Sequence, residues 1–205
     1  MLKALSIVAA LIGVAAALCA QTTPYPDTFK VNYYSNANTT DYPSATVRIT
    51  NVGTQIGAAG DASGNLCAMI YVFSPDQELD ECCGCSLTPD GLITLDVNVD
   101  LTSNPLTAIT LYSGAIKIVS STGSPACNPT KPAPVSGVRA WATHIQSDVS
   151  GGNCDGPSSG ATFQTETEFS DSNLSAGELS SLKSKCAAII NTGSGHGICT
   201  CGTGD

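Results

Sequence analysis

Glu81-Cys82-Cys83-Gly84-Cys85 gathers three of the ten cysteines of the chain into one short run. Thiols at this density can pair, hold a metal or act as nucleophiles. Adjacent cysteines rarely bond each other, because the small ring strains the intervening peptide. Cys82 and Cys83 therefore need separate partners, and the run reads as a stapling hub. Cys82 and Cys85 also have the C-x2-C spacing of zinc ligands. A matching second pair is missing, and Cys199-x-Cys201 is tighter than the usual spacing. His196, in Gly193-Ser194-Gly195-His196-Gly197, lies beside Cys199. It could join Cys82, Cys83, Cys85, Cys199 and Cys201 as a metal ligand, or form a Cys–His pair. An oxidised cysteine is no nucleophile, so a Gly-rich turn with an exposed imidazole is the expectation. His144 reads as a strand residue without a ligand role.

Carboxylates supply the other chemistry. Asp76, Glu78, Asp80 and Glu81 form an acidic run beside the hub, where a hydrolase could draw its acids. Asp96, Asn98 and Asp100 alternate onto one face of an expected strand. Asp61, Ser63 and Asn65 resemble the start of a calcium loop, but Leu66 stands where glycine is required and Val72 where glutamate is. Residues 156–160, GPSSG, match the G-x-S-x-G string without the flanking strand and helix that give it meaning. No coherent catalytic set emerges, so no catalytic or cofactor-binding residue is assigned. Calcium at an acidic loop and zinc at the cysteines are the cofactor alternatives. Asn38-Thr39-Thr40 and Asn173-Leu174-Ser175 are glycosylation sequons in a eukaryotic secretory pathway.

Compartment decides how the sulfurs behave. Met1-Leu2-Lys3, an apolar stretch over residues 4–18 and Ala20 before Gln21 make residues 1–20 a signal peptide. Cleavage is expected after Ala20, with Ala17 as an alternative. The apolar stretch is short for a membrane span, and no later run is long enough. A lipidated Cys19 is disfavoured by the bulky Leu18 before it. An exported chain forms disulfides, so the candidates are Cys67, Cys82, Cys83, Cys85, Cys127, Cys154, Cys186, Cys199 and Cys201. Their number is odd, which leaves one thiol free, intermolecular or metal-bound. Cys186 faces inward on an expected helix just before the tail, so a bridge to Cys199 or Cys201 is the favoured pairing. The net charge of −9, with eight scattered Lys and Arg, disfavours nucleic acid and anionic membranes as partners.

The elements that must position these residues are mostly strands. Residues 21–45 read as an extended N-terminal segment with a first strand at Thr28 to Tyr34. Residues 46–205 read as one domain. Thr46 to Thr50 alternates, with Val47 and Ile49 on one face. Leu66 to Phe73 is a continuous apolar run, which suits a strand buried on both faces. Leu92 to Leu101 puts Leu95, Val97, Val99 and Leu101 on one face. Leu111 to Ser120 is a further strand. In Val138 to Ile145 either face could turn inward. Ala161 to Phe169 sets Phe163, Thr165, Thr167 and Phe169 against polar residues. The period then changes. Ser175 and Glu178 form a capping box, apolar residues recur at helical spacing, and Gly193 stops a helix over 176–190. The Gly-rich tail returns two cysteines towards that helix. The expected fold is mainly β: an antiparallel two-sheet sandwich, immunoglobulin-like in the broad sense, with one C-terminal helix.

The segments LCAMIYVF, ECCGC, LTPDG, RAWATH and GSGHGICTCGTGD, spread from about Thr46 to Asp205, resemble a family of small exported bacterial proteins of unknown function. That resemblance implies export from a bacterial cell and no particular activity. Taken together, the sequence predicts a non-enzymatic, secreted or envelope β-sandwich that acts as a structural or binding module for an unknown partner. An extracellular hydrolase and a Cys/His metal-binding protein are the alternatives.

Overall fold

The computed structural model describes residues 25–57, 63–123, 126–147 and 162–202. Nine strands and one helix are formed among them: β1 Tyr25–Tyr34, β2 Thr46–Asn51, β3 Leu66–Phe73, β4 Leu79–Leu87, β5 Leu92–Asp96, β6 Gly114–Thr122, β7 Val138–Ser147, β8 Thr162–Glu168, β9 Ser170–Leu174 and α1 Ala176–Thr192. They make two antiparallel sheets, in the orders β4-β3-β6-β1-β9 and β5-β2-β7-β8. The expected two-sheet sandwich with a C-terminal helix is the fold observed.

Two cores explain the patterns. Between the sheets, Ala68, Ile70 and Val72 of β3 and Ile116 and Ile118 of β6 meet Val47 and Ile49 of β2 and Ala140 and Ala142 of β7. The small apolar face of β7 is thus the inward one. On the outer side of the larger sheet, Cys67, Met69, Tyr71 and Val119 lie under Leu182, Cys186 and Ile189 of α1. Covering both faces makes both alternating sets of β3 apolar and adds Val119 to the apolar residues of β6. The unbroken LCAMIYVF run and the out-of-phase Val119 follow from that second layer.

α1 starts where the capping box predicts. Ser175 Oγ accepts from the Glu178 N–H, and Gly193 closes the helix at φ 64° in the left-handed region that favours glycine.

Three segments depart from the pattern read in the sequence. The strand from Leu92 ends at Asp96, and Val97–Leu101 form one π-helical turn. The Asp96 carboxylate accepts from the N–H groups of Asn98 and Val99 and so drives the turn. Val99 is consequently 64% exposed, while Leu95, Val97 and Leu101 are buried. The sixth strand begins at Gly114 instead of Leu111. A Cβ there would fall 1.9 Å from the Phe73 carbonyl oxygen, so only glycine admits the pairing. β8 is exposed along its whole described length, Phe163 included, and only Phe169, at the bend into β9, is buried. Alternation in β8 therefore marks the pleat and not a buried face.

β1 and β9 are tied to β7 by charge. Lys30, with a side chain only 2% exposed, bonds Asp27 at 3.0 Å and also Asp171. Arg139 of β7 pairs with the same two carboxylates. Burial opposes ionisation of Asp27, but hydrogen bonds from Lys30 and Arg139 outweigh it and hold the carboxyl below its ordinary range. Removing the buried cation leaves the anions only partly compensated. Lys30→Ala is expected to destabilise the fold by about 2–4 kcal/mol, with Lys30→Met milder because it keeps the packed stem. Urea unfolding of both variants checks this, and equal stability of wild type and Lys30→Ala would contradict it.

Candidate functional site

β4 is where the chemistry-bearing residues collect. It is the edge of the larger sheet, paired on one side with β3. The tail runs along its other side, with a parallel bridge between Cys82 and Ile198. Side chains alternate across a strand. Cys83 and Cys85 therefore point into the core between the sheets, and Cys82 points to the opposite, helix-covered face. That alternation dictates the bridges.

Cys82 bonds Cys186 of α1, while Cys83 bonds Cys199 and Cys85 bonds Cys201. Cys67 of β3 bonds Cys127. The expected bridge from Cys186 to Cys199 or Cys201 is not formed. The helix covers the outer face of β4, whereas the tail runs along its edge with Cys199 and Cys201 packed in the core between the sheets, so helix and tail cysteines meet different faces of the hub. Separate partners for Cys82 and Cys83 are as expected. Gly84 is required between Cys83 and Cys85, since a Cβ there would fall 2.3 Å from the Cys127 carbonyl oxygen. Cys154 and the GPSSG string lie outside the described residues, as does Asp61 of the calcium-like segment.

The tail is also held by hydrogen bonds. Cys82 N–H donates to Gly197 O at 2.9 Å, Gly197 N–H to Asn104 O at 2.7 Å, and Thr200 N–H to Asp100 O at 2.9 Å. Thr200 Oγ1 donates to Asp100 Oδ1, and Asp100 Oδ2 accepts from the Asp96 N–H. Asp96 and Asp100 thus cap a turn and dock the tail, instead of sharing a strand face. His196 is exposed in its glycine-rich turn, and Cys199 beside it is bonded to Cys83. His144 is buried, stacks on Tyr33 with ring centroids 4.0 Å apart, and shares a hydrogen bond between Nε2 and Thr167 Oγ1. Burial lowers its pKa.

The acidic run splits in two. Pairing of β3 with β4 slips between Val72 and Phe73, where Val72 faces Glu81 and Phe73 faces Leu79. Asp80 is the extra residue of a bulge, a device that re-aims side chains. Asp80 and Glu81 are both buried, at 1% and 0% exposure. Asp80 Oδ1 accepts from Thr107 Oγ1 at 3.1 Å, and Glu81 Oε1 accepts from the Asn104 N–H at 2.8 Å. Their second oxygens, Oδ2 and Oε2, have no hydrogen-bond partner. Burial pushes the Glu81 carboxyl up to about 7. The Asn104 N–H counters it, and the Asp80 charge adds to the rise. Burial, followed by the charges of Asp80 and Glu81, also raises the Tyr34 phenol.

Asp76 and Glu78 are exposed on the turn after β3. With Asp80 and Thr107 they border an open cleft of about 420 Å³. Its other wall carries Ile109 and Tyr112, exposed at 65% and 56%. Asp76 accepts from Ser74 Oγ, which holds its carboxyl below the ordinary range against a small opposing effect of burial. Among the described residues, no Lys or Arg pairs with Asp76, Glu78, Asp80 or Glu81. The sequence placed these acids beside the hub. It carried no signal for the burial of two of them, nor for the 107–113 segment opposite. The chain matches no family model, curated protein or solved structure.

Proposed function

We propose that this chain is an exported, non-enzymatic β-sandwich that binds a ligand in the cleft between the 74–78 turn and residues 107–113. The observation that carries this reading is an uncompensated acidic rim facing exposed apolar side chains across a concavity of ligand size. An anionic rim with Ile109 and Tyr112 opposite suits a cationic group on an apolar stem, such as an amine or a basic side chain. Binding without catalysis is supported by the acids themselves. Asp76 is held ionised and is a poor proton donor. Glu81 has the pKa of a general acid, but its free oxygen is sealed from solvent. Export is supported by four disulfides, which persist in oxidising compartments. It is also compatible with the described residues containing no helix long and apolar enough to cross a membrane.

Amide NMR titration with spermidine, a lysine-rich peptide and a neutral oligosaccharide tests the cleft. Both cationic probes are expected to shift the amides of residues 107–113. The effect should weaken about tenfold in Asp76→Asn/Glu78→Gln and on raising the salt. Unperturbed 107–113 amides with both cations, or equal shifts with the neutral sugar, would exclude this reading.

A further inference from the structure

The two tail bridges are close neighbours. The Sγ atoms of Cys83, Cys85 and Cys201 all lie within 4.8 Å of one another, and Cys199 Sγ is bonded to Cys83 Sγ. Three sulfurs from two different disulfides therefore occupy one small volume, with the fourth, Cys199 Sγ, one bond from Cys83 Sγ, and among the described residues no other such cluster of ligand atoms occurs. We propose that these four sulfurs, once reduced, form a thiolate site for one tetrahedral, sulfur-preferring divalent ion, zinc above all.

Tetrahedral zinc thiolates have Zn–S bonds of about 2.3 Å, which sets the sulfurs about 3.8 Å apart. The ligands come as Cys83-x-Cys85 on a strand and Cys199-x-Cys201 on the tail beside it. Alternation along an extended chain turns both members of each pair the same way. This ligand set differs from the one suggested by the C-x2-C spacing. Cys82 leaves it because it points to the helix side, and His196 leaves it because it is exposed and not among the clustered ligand atoms.

Reduction does not by itself scatter the thiols. The tail keeps the hydrogen bonds of Gly197 and Thr200 to β4, Asn104 and Asp100, none of which involves sulfur. Asn104 Nδ2 adds a bond to Gly195 O at 2.9 Å. Cys83, Cys85 and Cys199 are buried and Cys201 is partly buried. A site with four protein ligands and little solvent access is structural in type.

The chemistry balances with a phosphine as reductant. Each S–S bond breaks to give two thiols, while the phosphine is oxidised to its oxide with oxygen from one water. Zinc then binds the four sulfurs as thiolates and releases their four protons. The oxidised chain offers only bridged sulfurs, which are poor ligands. Paired sulfur and bound metal are thus alternative states of the same four residues.

The test uses the whole chain, reduced by a phosphine without oxygen and given zinc or cobalt. One zinc per chain by elemental analysis is expected, together with the intense visible bands of tetrahedral cobalt thiolate. The oxidised chain should bind neither. Cys85→Ser/Cys201→Ser should weaken zinc binding roughly a hundredfold, whereas Cys67→Ser/Cys127→Ser should keep one zinc. A reduced, folded chain that binds no metal overturns the proposal. So does a reduced chain that unfolds and does not regain its β-sheet circular dichroism on adding zinc. Loss of the metal in the Cys67/Cys127 variant but not in the Cys85/Cys201 variant would also overturn it.

Discussion

Replacing Cys67 and Cys127 together by alanine is expected to cost about 4 kcal/mol of stability, more than losing either the Cys82–Cys186 or the Cys85–Cys201 bridge. The ranking comes from which loops remain closed. Cross-links restrict the unfolded chain, and each bridge contributes according to the smallest loop that it alone closes. Cys67–Cys127 closes 60 residues that no other bridge shortens. Cys82–Cys186 nominally closes 104 residues, but the neighbouring Cys83–Cys199 bridge already joins the same regions. The loop left for it is roughly 14 residues, worth about 3 kcal/mol. Cys85–Cys201 lies two residues along each segment from Cys83–Cys199, so it closes a ring of only a few residues worth about 2 kcal/mol. Urea unfolding of the three paired-alanine variants gives the order directly. A Cys85/Cys201 variant that loses the most, or three equal losses, would contradict this account.

Stability should fall as pH rises from 4.5 to about 7. Glu81 has an ordinary value of 4.5 when exposed and about 7 in the fold. Between those values the folded chain holds a proton that the unfolded chain has released. Unfolding therefore becomes easier with rising pH. Glu81's contribution is fully present below 4.5, is lost through the window, and stays lost above it. The loss amounts to about 3 kcal/mol at most. Glu81→Gln keeps the bond from the Asn104 N–H and removes the titration. It should match wild type near pH 4 and exceed it by up to about 3 kcal/mol near pH 8. The acids and phenol around this carboxyl, Asp80 and Tyr34, carry no positive charge that would reverse the sign. Parallel pH profiles for wild type and Glu81→Gln would refute the assignment.

Glu81 and the two bridges ranked below Cys67–Cys127 lie on β4, whose pattern was hard to read in the sequence. LDECCGCSL mixes acids, cysteines and glycine, so its alternation is hidden from a reading by apolar period. β9, SDSNL, has no apolar pattern at all and exists because β1 offers it an edge. By contrast, β2 and β3 were readable, since Val47 and Ile49, or LCAMIYVF, carry the period in strongly apolar residues. The helix announced both of its ends through Ser175, Glu178 and Gly193. Lys30 gave little hint that it would be buried, because only Asp27 lies on its own strand, while Asp171 is brought to it by the β1–β9 pairing.

Local preference and periodicity were therefore enough to determine the strands with clean patterns, the capped helix, the sandwich class and the expectation of paired cysteines. Tertiary structure alone decided which cysteine met which, that Asp80 and Glu81 would be sealed in the interior, and that an acidic rim would face Ile109 and Tyr112. The reason is physical. Alternation tells which residues share a face of a strand, but the layer that comes to cover that face is a contact between distant parts of the chain. On β4 the helix covered one face, the core between the sheets lay against the other, and the tail paired along the edge, so neighbouring cysteines met different partners on opposite sides.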